Sequence, residues 1–321
     1  MRDNRFIPPL PSLPEIKNAI GRYLDAGEFK HCRQTDMPEE FLRSMRQELG
    51  ILERAFLLVI TQPIPFGEQR FYRLRFPEQP FTEFNRQGFG PPPIHSAPFD
   101  RCSIKGHPVM YTSVNPATCF QEVLFVQPDP VGMQIGYLSE WKVRAGCELK
   151  VVPFVYHDVP ESSDLHGVVA SMHANVSSWL REYYHESDIA GVLATLEYLS
   201  RLFNDDKYKS ISSFIGHSHL YVDHANGPDA FLYPSAQADH LRANFAFHPN
   251  CLTNLELTYV WECAIKDHIP QGKSFEIKWL REFTDFERQL TVRPISVEES
   301  NALSQELLKD IMGYYDAKAR R

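Results

Sequence analysis

The stretch DRCSIKGHPVMYTSVNPATCFQE, residues 100–122, decides how the fold is interpreted. It opens with an isolated arginine, Arg101, and a Lys-Gly pair then predicts a turn. Residues 107–114 have the pattern of a short strand with Tyr111 at its centre, and an Asn-Pro pair starts a helix that carries Glu122. An arginine, an aromatic ring and a carboxylate therefore fall on one loop–strand–helix unit. Such a set suits the binding of an anionic nucleotide and chemistry on its sugar.

Composition places the chain among ordinary globular proteins. It has 321 residues, of which 43% are hydrophobic and 23% charged, enough for one large domain or two small ones with an ample core. Since the net charge is -8 and no basic stripe dominates, we expect no direct binding to nucleic acid. No apolar run of about 18 residues is present, so we expect no membrane-spanning helix.

Cysteine usage and the N-terminal sequence favour a cytoplasmic protein. The six cysteines are scattered without a C-x-x-C pair, and in a chain of this size they are interpreted as free thiols of a reducing compartment. The opening sequence, MRDNRFIPPLPSLP, lacks the apolar core of a signal peptide.

The N-terminal part predicts two helices. Ser12 and Glu15 match a capping box, and the helix that they start is expected to run to about Ala26. A second helix is predicted over residues 38–60, because apolar residues recur every three to four positions: Phe41, Met45, Leu49, Leu52 and Phe56. We interpret residues 1–65 as an N-terminal helical extension packed on the main domain. A surface for oligomerisation or for a partner protein is the alternative.

A strand with two arginines on one face is predicted over residues 69–76. Alternation puts Phe71, Arg73 and Arg75 on the same face of this strand. The two arginines are expected to meet either solvent or an anionic ligand. Residues 77–99 hold six prolines and predict a long irregular loop, of a length that is often functional.

The rest of the chain predicts a mixture of helices and strands. A helical hairpin is predicted from helices at 165–185 and 189–203, whereas residues 208–221 fit a helix or a strand. Gly146 predicts a turn between a strand at 133–145 and a strand at 148–154. A capping box at Ser296 starts the last helix. The strands are predicted at 133–145, 148–154, 230–233, 242–248, 255–266 and 274–279.

Residue types and spacing alone leave the roles of three residues open. Arg101 is either a surface arginine or a clamp for phosphate, which a guanidinium binds through two hydrogen bonds. Tyr111 is either a core tyrosine or a stacking platform for a planar base. Glu122 lies beside apolar residues of its helix and belongs either to a surface ion pair or to a functional site.

Several well-known motif classes are absent from the sequence. It contains no Walker or Rossmann glycine pattern, no G-x-S-x-G elbow, no H-E-x-x-H and no Cys/His spacing typical of zinc sites. His217 and His219 stand two apart, but a lone histidine pair is not a ligand pattern. No metal site is therefore predicted.

Motifs in the first half of the chain resemble the RES domain family. Arg101 is followed by KGHPVMYTS, residues 105–113, which matches a glycine turn and a P-V-x-Y-x-S pattern that includes Tyr111 and Ser113. A helix with an A-x-x-x-x-E pattern then ends at Glu122. The arginine and the glutamate are two of the three residues for which the family is named.

The second half supplies the third residue of the name. A Y-P-S motif after a short apolar strand ends at Ser235, and the run Asn244-Phe-Ala-Phe follows. The strand FYRLR is similar to the family's opening strand, with Arg73 in the matching place, so the resemblance covers about residues 69–250. The chain departs from the family at Arg101, which stands in Asp-Arg-Cys-Ser where Gly-Arg-Trp-Asn is common.

The resemblance implies an α+β fold with a split, mostly antiparallel sheet core like that of ADP-ribosyltransferases. On this basis residues 66–321 are predicted to form one RES-like domain, with a helical insertion at about 164–204. Residues 1–65 precede it as the helical extension.

The resemblance also implies an enzyme that consumes NAD+ as its substrate and needs no other cofactor. Such an enzyme cleaves the nicotinamide–ribose bond by hydrolysis or phosphorolysis, in a toxin-like activity. The implied catalytic residues are Glu122 beside the cationic sugar, Tyr111 stacked on nicotinamide and Arg101 on the pyrophosphate. The implied substrate-binding residues are Arg73, Lys105, Ser113 and Ser235.

Two alternatives to this activity stay open: a protein ADP-ribosyltransferase, and a non-catalytic RES-like binding module. An enzyme requires Arg101, Tyr111, Glu122 and Ser235 to converge on one cleft. As partners, the resemblance implies NAD+ and a separate Xre-like antitoxin protein, since the chain has no helix-turn-helix signature of its own. The apolar helix at 38–60 and the hairpin are candidate surfaces for that partner or for an oligomer.

Overall fold

The computed structural model describes most of the chain as two compact units. The described residues are 11–26, 37–53, 62–64, 69–124, 133–156, 158–221, 227–236, 238, 240–269 and 274–319. The first unit consists of residues 1–62, 92–109 and 150–233, and the second of residues 63–91, 110–149 and 234–321. The fold class is mixed α+β with a mostly antiparallel sheet, as the sequence predicted at this coarse level.

Helices and strands interleave along the chain. The helices are α1 (Leu13–Ala26), α2 (Pro38–Leu49), α3 (Arg86–Phe89), α4 (Pro116–Leu124), α5 (His166–Tyr183), α6 (Glu186–Asn204), α7 (Lys209–Leu220) and α8 (Val297–Ala319). The strands are β1 (Gln62–Ile64), β2 (Arg70–Arg75), β3 (Met110–Ser113), β4 (Gln134–Val143), β5 (Leu149–Pro153), β6 (Ala230–Pro234), β7 (Ala243–Phe247), β8 (Leu255–Ile269), β9 (Ser274–Thr284) and β10 (Thr291–Pro294).

The first unit is built mainly from helices. Ile16 and Ala19 of α1 are buried and pack with Ala194 and Tyr198 of α6. The backbone of the N-terminal segment approaches Gly191 so closely that a Cβ there would lie 2.8 Å from the carbonyl oxygen of residue 11. The N-terminal helix and the predicted hairpin, α5 and α6, therefore belong to one packed body.

The apolar stripes of α2 and α5 are buried in this unit. Phe41, Met45 and Leu49 of α2 are each at most 2% exposed. The buried residues of α5 are Val169, Met172, Val176 and Leu180. The apolar stripes of both helices are therefore buried, and the partner surface expected on these helices stays a prediction. The helix predicted over 38–60 ends as an α-helix at Leu49 and continues as a 3-10 turn, Gly50–Leu52, whereas residues 54–60 lie outside the described residues.

The second unit is an antiparallel sheet with α4 and α8 packed on one face. Its strand order is β7-β3-β2-β4-β8-β9-β10. Leu74 and Leu138 are partners in the register of β2 and β4, and both pack against Phe120 of α4 and Leu307 of α8. Burial of this shared apolar face fixes α4 against the sheet.

Capping explains where two helices start. Ser296 and Glu299 form the predicted capping box of α8: the Ser296 N–H donates to the Glu299 carboxylate at 3.0 Å, and the Glu299 N–H donates to Ser296 Oγ at 3.2 Å. At α1 the Ser12 N–H and hydroxyl both donate to the Glu15 carboxylate, at 2.8 and 2.7 Å. The capping residues predicted for both helix starts are thus confirmed.

The structure corrects or completes four details of the predicted elements. Gly146 forms the predicted turn with φ of 79°, but β4 pairs with β2 and β8 while β5 pairs in parallel with β6. Residues 208–221, which fitted two structures, contain helix α7. The proline-rich stretch 77–99 contains the short helix α3, and the edge strand β10 had no prediction.

Candidate functional site

Glu122 is held at a defined place by the packing of α4. Ala117 and Phe120, on the apolar face of this helix, are buried in the core of the second unit. Glu122 stands two residues after Phe120 and is only partly buried. The packing of α4 therefore fixes the position of Glu122, and this residue stays partly exposed to solvent.

Ser235 binds the Glu122 carboxylate from the segment that follows β6. Its Oγ donates to Glu122 Oε1 at 2.5 Å, and the same Oγ accepts from the Ala238 N–H at 3.1 Å. The Ser235 backbone is fixed as well, because its N–H donates to the Arg242 carbonyl at 2.8 Å. A hydroxyl has one proton, so the proton of this fully buried serine is committed to Glu122.

Asn244 makes the second contact to the same carboxylate oxygen. Its Nδ2 donates to Glu122 Oε1 at 2.8 Å, and the side chain is 4% exposed. Asn244 lies on β7 directly opposite Ser113 of β3, whose Oγ donates to the carbonyl of Ala243 at 3.0 Å. We call Glu122, Ser235 and Asn244 the carboxylate cluster.

Within the second unit, the carboxylate cluster joins Glu122 to two residues that lie 113 and 122 positions later in the sequence. Two neutral donors on one oxygen fix the rotation of the carboxylate, and hydrogen bonds to an ionised acceptor are stronger than those between neutral groups. The arrangement can present a fixed negative charge to a cation that develops nearby. Asn244 had no predicted role; the signal for it was its place in the Asn-Phe-Ala-Phe run.

Tyr111 lies on the same sheet face as Asn244. It pairs with Ala246 across β3 and β7, while Ser113 pairs with Asn244, and paired or alternate residues share a face. The Tyr111 side chain is partly exposed, whereas Ser113 is 1% exposed. Tyr111 thus stands on a strand next to the carboxylate cluster, and its stacking role stays a prediction.

Arg73 and Arg75 meet backbone carbonyls at the end of α3. Arg73 Nη1 donates to the carbonyls of Phe89, at 2.9 Å, and of Gly90, and Arg75 Nη1 donates to that of Gly88 at 2.6 Å. Carbonyls at a helix C-terminus lack intrahelical partners and attract cations. The expected choice between solvent and an anionic ligand was therefore incomplete. Burial lowers the pKa of both guanidinium groups.

The position of Arg73 in the strand separates it from the carboxylate cluster. Tyr72 pairs with Ser113, and successive residues of a strand point to opposite faces, so Arg73 leaves β2 on the face opposite Asn244. Its predicted contact with pyrophosphate stays a prediction.

Arg101 and Lys105 belong to the first unit. Arg101 Nη1 donates to the Phe203 carbonyl at 2.6 Å, and its guanidinium carbon lies 5.8 and 5.9 Å from the ring centroids of Phe203 and Tyr233. Lys105 is exposed in the predicted turn beside Gly106, whose φ of 80° suits glycine. The convergence of Arg101 with the residues of the second unit stays a prediction.

Histidines contact one another in the first unit without forming a metal site. His217 Nε2 lies 2.9 Å from His107 Nδ1, and their rings stack with centroids 4.7 Å apart. Over the described ranges, no three His, Cys, Asp or Glu side chains are placed so that they could hold a metal ion.

Comparison with known proteins gives the site no relatives. No protein-family model matches the chain, and neither a curated protein nor a solved structure gives a significant match. None of the helices in the described part of the chain has the length and apolar content that crossing a membrane requires.

Proposed function

We propose that this chain is an NAD+-consuming enzyme of the RES type, with an ADP-ribosyltransferase-like fold, which cleaves the bond between nicotinamide and ribose. One observation carries the proposal: Ser235 and Asn244 both donate to the same oxygen of Glu122. The sequence motifs single out the glutamate and the serine independently of this contact. The mixed α+β class and the mostly antiparallel sheet are compatible with the proposed fold.

The proposed chemistry needs a fixed negative charge beside the ribose. As the bond between C1′ and the nicotinamide nitrogen breaks, its electron pair goes to the nitrogen, and nicotinamide leaves as a neutral molecule. Positive charge develops at C1′ and on the ring oxygen. The Glu122 carboxylate would stabilise this charge, and a preorganised contact of this kind contributes on the order of 3 kcal/mol to catalysis.

The leaving group removes the need for a strong general acid in this reaction. Nicotinamide departs from a cationic ring and accepts no proton. A water molecule, phosphate or a protein side chain would then attack C1′ through an oxygen and lose a proton. Tyr111, partly exposed on the sheet face of the carboxylate cluster, is the proposed stacking partner of the nicotinamide ring.

The proposed activity includes regulation by a separate Xre-like antitoxin. The apolar stripes of α2 and α5 are buried, so a partner on these helices would contact their remaining, partly exposed residues, such as Tyr183 of α5.

The product of the reaction tests the proposal. The purified protein is incubated with NAD+, with and without phosphate, and the ribose product is identified by mass. ADP-ribose indicates hydrolysis, ADP-ribose 1″-phosphate indicates phosphorolysis, and a mass increase of the protein indicates transfer to a side chain. Intact NAD+ after prolonged incubation at high enzyme concentration would refute the proposed activity.

A further inference from the structure

The two residues behind Glu122 are better placed to hold it than to touch a substrate. Ser235 is 0% exposed and Asn244 is 4% exposed, whereas Glu122 is only partly buried. The Ser235 proton is directed to Glu122 because its Oγ accepts from the Ala238 N–H. Of the three residues, Glu122 is therefore the one that solvent reaches most readily.

Each donor is itself fixed by backbone structure. Ser235 begins a tight loop in which its N–H binds the carbonyl of Arg242 at 2.8 Å and its carbonyl accepts from the His240 N–H at 2.9 Å. His240 has φ of 62°, a left-handed conformation that the loop imposes on a non-glycine residue. Asn244 is held in the register of β7 with β3. Rigid donors are what a carboxylate needs if its orientation is to survive in the absence of substrate.

We propose that Asn244 and Ser235 are positioning residues, which act on the substrate only through the orientation and charge of the Glu122 carboxylate. This inference rests on the proposed function for its catalytic consequence. It gives Asn244 a role that its sequence motif alone does not assign. It also moves Ser235 from contact with the ribose to support of the glutamate.

Asn244 offers a nearly isosteric test, because an amide and a carboxylate have the same shape. In Asn244→Asp, two carboxylates face each other across the former 2.8 Å hydrogen bond. Two such groups cannot both ionise freely, so the pair retains a shared proton to higher pH. Glu122→Gln combined with Asn244→Asp restores one amide and one carboxylate, but on exchanged positions.

The pH profile of NAD+ cleavage separates positioning from a merely structural role. The acid limb of kcat is expected to move to higher pH by about one unit or more in Asn244→Asp. Asn244→Ala is expected to lower kcat roughly tenfold with little change in KM, since it removes one hydrogen bond to a charged group. The double variant, in which the amide and the carboxylate have exchanged positions, is expected to stay inactive although the hydrogen bond between the two side chains is restored.

A second measurement does not depend on activity. The shared proton raises a folded-state pKa in Asn244→Asp, so the variant's stability relative to wild type is greatest near pH 4 and falls as the pH rises towards 8, by the linkage between pKa and stability. The exchanged double variant, with one carboxylate, is expected to lose this dependence. The thermal unfolding midpoints of the wild-type protein, Asn244→Asp, Asn244→Ala and the double variant are compared across this pH range.

The outcomes distinguish failure of the inference from failure of the proposed function. An Asn244→Asp protein with the wild-type acid limb, or with a stability difference that does not change with pH, would overturn the positioning role. If the wild-type protein cleaves no NAD+ but the pH-dependent stability difference is found, the support of Glu122 by Asn244 stands and the proposed activity is refuted.

Discussion

The stretch 100–122 contains two regions with different surroundings. Residues 100–108, which carry Arg101, belong to the first unit and are bound along their length by α7. Ser213 Oγ donates to the Asp100 carbonyl at 2.5 Å, and Cys102 lies against Gly216. His217 contacts His107, and the Tyr221 hydroxyl donates to the Pro108 carbonyl. Ser213, Gly216 and His217 have the i, i+3, i+4 spacing of one face of α7, and Tyr221 follows directly after the helix.

The region around Glu122 is held together by hydrogen bonds between polar side chains instead. Its carboxylate receives two buried neutral donors and remains partly exposed. Arg101, in contrast, gives a hydrogen bond to a carbonyl in the last turn of α6 and stacks on two rings. Two residues of one motif thus make contacts with different consequences. The contacts of Arg101 stabilise its own unit, while those of Glu122 fix the orientation of a carboxylate.

Acid should act most strongly on the first unit, which contains the first of these regions. Burial lowers the pKa of His219 to about 3 and also lowers the pKa of His107. A depressed folded-state pKa gives stability that is present above the unfolded value of about 6.5 and is lost as the pH falls through the folded value. The buried His219 contributes up to about 1.4 kcal/mol per pH unit in that window.

The matched variant for this effect is His219→Phe, which keeps a ring against Phe154 and Phe231. Urea unfolding at pH 4 to 7 is expected to show a shallower loss of stability in the variant than in wild type. An unchanged slope would mean that the acid sensitivity of the protein does not arise from His219.

Overpacking of the contact between α7 and Cys102 is the next largest effect. A Cβ added at Gly216 would lie 2.7 Å from the Cα of Cys102, and backbone cannot move aside cheaply. Gly216→Ala is therefore expected to destabilise the protein by about 2 kcal/mol, despite the better helix propensity of alanine. Thermal and urea unfolding measure the change.

Gly167 provides the control for this substitution. It lies in α5, where an added Cβ meets nothing within 4 Å, so Gly167→Ala is expected to be neutral or to stabilise by up to about 1 kcal/mol. Equal effects of the two substitutions would contradict the close packing of α7 on residues 100–108.

Arg101→Ala has the smallest expected effect and decides how different the two regions are. Loss of the hydrogen bond to Phe203 and of the ring contacts is expected to cost about 1–2 kcal/mol of stability. If Arg101 also grips the pyrophosphate, KM for NAD+ rises while kcat changes little, since ground and transition states are bound alike. A rise in KM without any loss of stability would show instead that Arg101 binds the substrate, as the resemblance to the RES family implies.

Sequence patterns predicted what local chemistry determines. The capping residues at Ser12 and Ser296, the helical hairpin and the alternation of residues 69–76 depend on neighbours a few positions apart, and the structure contains them. The α+β class, which the resemblance to the RES family implied, is also present. The finer likeness to ADP-ribosyltransferases stays a proposal.

Contacts between distant residues were beyond this reasoning. Asn244 and Glu122 are 122 positions apart, and nothing local marks an asparagine on a buried strand as a partner for a glutamate. Arg73 and Arg75 bind carbonyls because the proline-rich stretch folds back over β2, which depends on the path of a loop. Strand β4 pairs with β8 and not with β5, the next strand in the chain, and this pairing also depends on residues that are distant in the sequence.

The turnover of NAD+ by Glu122→Gln tests the central claim most directly. Glutamine retains an oxygen that can accept from both Ser235 and Asn244, so the thermal unfolding midpoint is expected to match that of wild type. The negative charge is lost, and kcat is expected to fall roughly a hundredfold, as for removal of one preorganised electrostatic contact. A folded Glu122→Gln protein with wild-type turnover would contradict the account of Glu122 as the group that stabilises the developing cation.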